Sequence, residues 1–191
     1  MIPQPEGELH PTSTMTLGII ASGSGRRWGG RDKATLCYEG ETLLGQLVRI
    51  WGPFCREIIV NSHHANSLHA HLTDRSVCDT RPDRGPCLGI AALLAACETP
   101  LLLLAPVDLL EPPVTLPQQL LDALQPSNPG CYAIDRGQHS LVMLLRRNSA
   151  SMVQTYLQQG GQRVGELIEH IGLTAVNASM PLRDADTPAD L

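Results

Sequence analysis

The stretch "LLLLAPVD", residues 101–108, limits the fold more than any other part of the chain. Alternate residues of a strand face opposite sides of a sheet. Every position over 101–105 is apolar, so both faces of this strand must be covered. Continuous apolar runs of this kind belong to parallel sheets buried under helices on each side, whereas a half-wet sheet alternates. "TLGII" at 16–20 and "EIIVNS" around 58–60 read the same way, with a shorter strand expected at 76–78. Leu43, Leu44, Leu47, Val48 and Trp51 fall at helical spacing, predicting a helix over 42–51 that Gly52 and Pro53 stop. A small-residue helix is expected over 88–97 and a short one over 67–72. Strand and helix in alternation make this a Rossmann-like α/β chain with a mostly parallel central sheet.

The second half is less regular. It predicts a helix over 118–124, strands over 131–134 and 140–145, a helix over 150–160 closed by Gly160, another over 163–172 and a last strand over 173–178. Neither an internal repeat nor a linker divides the chain. Residues 1–15, with three prolines and no lysine or arginine, are expected to form a disordered head, and residues 16–191 a single domain. The head also lacks the charged and apolar regions of a signal peptide, and no apolar run reaches the ~20 residues that cross a bilayer. A cytoplasmic protein without a membrane partner is the expectation. With 42% hydrophobic but only 3% aromatic residues, the core must be aliphatic. The formal net charge of -5 argues against nucleic acid as the main partner, because phosphate backbones are bound by basic surfaces. Six cysteines, at positions 37, 55, 78, 87, 97 and 131, form no CxxC pair and lie mostly in apolar runs. They read as reduced, buried thiols.

Within this acidic chain one loop is basic. "ASGSGRRWGGRDKA", residues 21–34, follows directly on the first apolar run. The Walker pattern fails here because Asp32 precedes Lys33 and Ala34 follows it, which leaves no hydroxyl for magnesium. The dinucleotide fingerprint fails because Trp28 stands in place of its third glycine. What remains is a loop whose glycines let backbone N–H groups approach an oxyanion, with Arg26, Arg27 and Lys33 to neutralise it. That chemistry suits a polyphosphate, and the carboxyl end of a buried strand is where open α/β sheets bind ligands. The alternative is a solvated, charged loop. "HHANSLHAH", residues 63–71, invites a metal reading, but His63, His64, His69 and His71 lack the spacing of a helical zinc site and read as an exposed connection.

From Ile20 to Ala34 the residues resemble the LAGGxSxRMGxDK signature of the molybdenum cofactor guanylyltransferases, members of the wider nucleotidyltransferase group. The resemblance continues in order through "IIVN" at 58–61, Asp79, "GPCLGI" at 85–90, "LLLLAPVD", "YLQQGGQRV" at 156–164 and "DADTPADL" at 184–191. It implies a three-layer nucleotidyltransferase fold. It also implies transfer of GMP from GTP to the terminal phosphate of molybdopterin, with Mg2+ as cofactor and molybdenum-insertion and adaptor proteins as partners.

Carried over residue by residue, the resemblance implies nucleotide contacts at Ile20, Ala21, Ser22, Gly23, Lys33, Asn61, Asp79 and Asp108. It implies catalytic charge at Arg27 and Lys33, the metal ligand at Asp108, and acceptor contacts at His139, Arg163, Asp184 and Asp186. Tyr156 is a further acceptor candidate, although a tyrosine at helical spacing is more often core. The chain departs from the pattern in four places, one of them "PVDLL" at 106–110 where the family has PCDxP. Ser22 puts a hydroxymethyl where the family has glycine, Trp28 replaces methionine, and the asparagines of NxNTP are Asp184 and Asp186. Two readings stay open beside guanylyl transfer: the related molybdopterin cytidylyltransferases, and a non-catalytic GTP-binding regulatory relative.

Overall fold

The computed structural model describes residues 14–22, 28–29, 31–62, 70–78, 85–185 and 187–191. Its central sheet has seven strands: β1 (Met15–Ile20), β2 (Glu57–Asn61), β3 (Arg75–Val77), β4 (Leu101–Pro106), β5 (Gly130–Asp135), β6 (Gln138–Arg146) and β7 (Thr174–Asn177). Their spatial order is β3-β2-β1-β4-β6-β5-β7. β1 runs parallel to both β2 and β4, so the apolar runs at 16–20 and 101–105 lie side by side within the sheet. Only β6 is antiparallel to its neighbours β4 and β5. The two-residue turn at Arg136 and Gly137, with φ of 50° and 78°, causes that reversal. Both central residues are left-handed, as tight hairpins require.

Helices cover both faces. α1 (Leu43–Trp51) and α3 (Leu116–Ala123) pack on one side, where they meet Leu17, Ile19, Leu103 and Ala105. On the other side α2 (Pro86–Ala96), α4 (Ala150–Gln158) and α5 (Val164–Ile171) meet Ile59, Leu102 and Leu104. Successive leucines of β4 therefore belong to different clusters, which is why its run tolerates no polar residue. Each such side chain contributes roughly 1.5–3 kcal/mol by burial. Local signals set the helix ends. Thr42 Oγ1 accepts from Gly45 N at 3.0 Å to cap α1, and Gly172, at φ 70°, closes α5. Among the described residues no helix is long and apolar enough to cross a membrane.

One expectation needs correction. Cys87, Cys97 and Cys131 are buried, but Cys55 is only partly so and Cys37 and Cys78 are exposed. The last two sit where the chain leaves the core, in a two-residue strand and just past β3. The expected helix over 67–72 lies mostly outside the described residues; Ala70 is helical, and His71 and Leu72 form the turn after it.

Candidate functional site

The carboxyl ends of β1, β2 and β4 meet at one edge of the sheet. Ala21 N donates to Asn61 O at 2.8 Å, and Val107 N donates to Ile20 O at 3.0 Å. The head of the basic loop is thereby pinned to both neighbouring strands, with Ile20, Ala21 and Ser22 all less than a tenth exposed. The far end is held differently. Trp28 packs with Leu36, Leu43, Leu110 and Ala185, while Asp32 Oδ1 accepts from Ala34 N at 3.0 Å and starts a helical turn over Lys33–Thr35. Gly23 and Arg27, between these anchors, lie outside the described residues, as do Asp79 and Asp186.

Lys33 and Asp108 come together from 75 residues apart. Lys33 Nζ donates to Asp108 Oδ2 at 2.5 Å, with the two side chains 22% and 18% exposed. Asp108 lies two residues past β4, where it faces the loop. It is the acid that Lys33 pairs with among the described residues.

Asn61 is fully buried at the end of β2. Its Nδ2 donates to Val77 O at 3.4 Å, but Oδ1 has no hydrogen-bond partner among the described residues. A buried acceptor without a donor is costly, and it points to a ligand or water that supplies one. Gly89, in the second turn of α2, explains how helix and strand approach so closely here. A Cβ at Gly89 would stand 2.7 Å from Asn61 Oδ1 and 3.5 Å from Ser22 Oγ. The glycine of "GPCLGI" is thus a spacer beneath the loop, a role that its motif alone does not reveal.

A cleft of about 410 Å³ opens beside this edge, and Asp108, Asp135, His139 and Asp184 are among its lining residues. The chain terminus brings Asp184 there. Arg183 and Asp184 pair antiparallel with Leu110 and Leu109, and Ala185 N donates to Asp108 O at 2.8 Å. His139 rests against Gly165, where a Cβ would come 3.3 Å from its Cε1. Asp135, which sequence reasoning passed over, ends β5 and accepts from Leu182 N at 3.2 Å. Only the hairpin and the returning terminus place it in the cleft.

Arg163 is not among the residues lining this cleft. Its side chain is 84% exposed and pairs with Glu166 at 3.1 Å. Tyr156 is core: its hydroxyl donates to Arg163 O at 2.8 Å, and a Cβ on Gly161 would lie 2.3 Å from its ring. Together they brace the turn between α4 and α5. Among the described residues no group of three or more His, Cys, Asp or Glu side chains is placed to hold a metal ion. A carboxylate such as Asp108, outside any such group, suits a hard cation that retains its waters and arrives with a polyphosphate, as Mg2+ does.

The matching domain family and the curated relatives make the chain a nucleotidyltransferase. Residues 18–172 match the family model described as the MobA-like NTP transferase domain, and the chain belongs to that family. It is 30% identical over 175 residues to a molybdenum cofactor guanylyltransferase of Pseudomonas paraeruginosa, covering 90% of this chain and 87% of the relative. A protein of the same name from Ralstonia nicotianae is 31% identical over 166 residues, covering 81% of each. Among solved structures, molybdopterin-guanine dinucleotide biosynthesis protein A of Archaeoglobus fulgidus shares the fold with a TM-score of 0.68 at 16% identity, over 85% of this chain and 83% of that one. The 2-C-methyl-D-erythritol 4-phosphate cytidylyltransferase of Thermus thermophilus aligns with a TM-score of 0.72 at 16% identity, over 93% and 95%.

Proposed function

We propose that this chain is a cytoplasmic enzyme that transfers GMP from GTP to the terminal phosphate of molybdopterin and releases pyrophosphate. The observation that carries the reading is the convergence of the pinned loop, Asn61, Lys33 and Asp108 on one sheet edge, in a chain whose relatives bear the name molybdenum cofactor guanylyltransferase. An oxygen of the acceptor phosphate attacks the α-phosphorus of GTP, and the bond from that phosphorus to the bridging oxygen of the departing pyrophosphate breaks. The attacking oxygen is already ionised at neutral pH, so no strong base is needed. The work is to align two anions that repel each other and to stabilise the charge that develops between them.

In this reading Ile20, Ala21, Ser22 and Gly23 hold the nucleotide at the head of the loop, and Asn61 Oδ1 accepts a hydrogen bond from it. Asp79 completes the nucleotide side. Lys33 and Arg27 stabilise the α-phosphate and the leaving pyrophosphate. Asp108 holds Mg2+, which when bound supplies Lewis-acid charge to the phosphate oxygens. The acceptor lies in the cleft of Asp135, His139 and Asp184, and Asp186 is assigned to the acceptor from the sequence alone. Incubation with α-labelled GTP, Mg2+ and molybdopterin is expected to move the label to the acceptor. Equal or faster transfer from CTP assigns the chain to cytidylyl transfer, and tight GTP binding with no transfer makes it a regulatory binder.

A further inference from the structure

We propose that Lys33 is a built-in competitor for the divalent cation at Asp108, which makes cation binding conditional on the nucleotide. The proposal rests on the reading above that Asp108 is the cation ligand and Lys33 a phosphate contact. Lys33 Nζ sits 2.5 Å from Asp108 Oδ2, and roughly four-fifths of each side chain is buried. At that depth solvent and salt screen the pair much less than they would at the surface. The ammonium therefore occupies an approach to the carboxylate that a cation needs, and it cancels the negative potential that would attract one.

Among the described residues no group of three or more His, Cys, Asp or Glu side chains is placed to hold the cation, so the protein alone offers it an incomplete ligand set. A triphosphate changes both sides of this balance. It brings oxygens to complete the coordination of a hydrated Mg2+, and it gives Lys33 a more highly charged partner than one carboxylate. The flexible four-carbon stem of lysine lets the ammonium make that move. Asp108 thus exchanges partners: Lys33 in the empty protein, the cation in the loaded one. Linkage makes the effect reciprocal, so nucleotide and cation strengthen each other by one common factor. Part of that factor is the separation of Lys33 from Asp108.

The test measures Mn2+ binding to the nucleotide-free protein by electron paramagnetic resonance in the wild type, Lys33→Met, Lys33→Gln and Asp108→Asn. Removing the ammonium is expected to tighten Mn2+ binding about tenfold, within the usual range of coupling between two sites, and Asp108→Asn to abolish it. With GTP in EDTA, Asp108→Asn releases Lys33 and is expected to bind more tightly than the wild type, whereas Lys33→Met binds more weakly. Unchanged or weaker Mn2+ binding by both Lys33 variants, in protein that unfolds at the wild-type temperature, overturns the exchange and leaves Asp108 as a ligand. Full Mn2+-GTP affinity in Asp108→Asn overturns instead the assignment of Asp108 on which the exchange rests.

Discussion

Replacing Gly89 by alanine separates the binding role of Asn61 from its place in the core. The added Cβ would stand 2.7 Å from Asn61 Oδ1, closer than real Cβ atoms come, and 3.3 Å from its Cγ, a tight contact. Asn61 is fully buried and tethered through Nδ2 to Val77 O, so its amide must turn or the first turns of α2 must shift. Crowding of this kind costs about 1–3 kcal/mol. Alanine returns about 1 kcal/mol through its better helix propensity. The net loss of stability is then about 2 kcal/mol at most, a modest drop in melting temperature. The effect on nucleotide affinity is larger relative to its cause. Loss of one hydrogen bond to a buried acceptor costs about 1–3 kcal/mol, and 1.4 kcal/mol is tenfold, so GTP affinity is expected to fall about tenfold. Calorimetric titration with GTP beside thermal unfolding measures both quantities. Adding Gly89→Ala to Asn61→Ala is expected to cost no further affinity, because the two act through one amide. Wild-type GTP affinity in Gly89→Ala would refute this reasoning.

Four other outcomes follow from the same structure. Lys33→Ala is expected to lower GMP transfer by about two orders of magnitude or more, the scale of other preorganised charge contacts; steady-state turnover checks it. Gly161→Ala, whose Cβ would meet the Tyr156 ring at 2.3 Å, is expected to lose about 1–3 kcal/mol in urea unfolding while GTP affinity is unchanged. Burial pushes the Cys55 thiol from 9.0 up to about 12, and the Cys87 and Cys131 thiols up to about 11. In the native protein a thiol reagent should therefore reach Cys37 and Cys78 and spare those three. These raised values also set a sign. The unfolded chain releases the three protons above pH 9 while the folded chain keeps them, so their stabilisation is complete below pH 9 and is lost as pH rises. The loss is about 1.4 kcal/mol per thiol for each pH unit until the folded values are reached. A urea midpoint that falls from pH 9 to 10, with a shallower fall in Cys131→Val, is the expected record.

The parts legible in the sequence are those whose cause is local. The apolar run over 101–105 betrays β4 because burial on both faces excludes every polar residue, and the leucine spacing after Thr42 betrays α1. Charge and glycine placed after a buried strand mark the loop from Ala21 to Lys33. What stays illegible depends on contacts far apart in the chain. Nothing near Asp135 tells that Leu182, 47 residues on, will donate to it, or that a left-handed Arg136 turns β6 back against β4. The role of Gly89 requires knowing that Asn61 lies beneath it. Arg163 looks in sequence like an acceptor contact, but Glu166, one helical turn later, draws its side chain toward solvent. That i, i+3 pairing was available in the sequence as a warning.

The most direct test of guanylyl transfer is a competition in one vessel: differently labelled GTP and CTP at equal concentration with Mg2+ and molybdopterin, and the products separated by mass. Label from GTP is expected in a molybdopterin–guanine dinucleotide, with one pyrophosphate released for each dinucleotide formed. A product carrying mainly cytosine, or no dinucleotide from protein that binds GTP tightly, would contradict it.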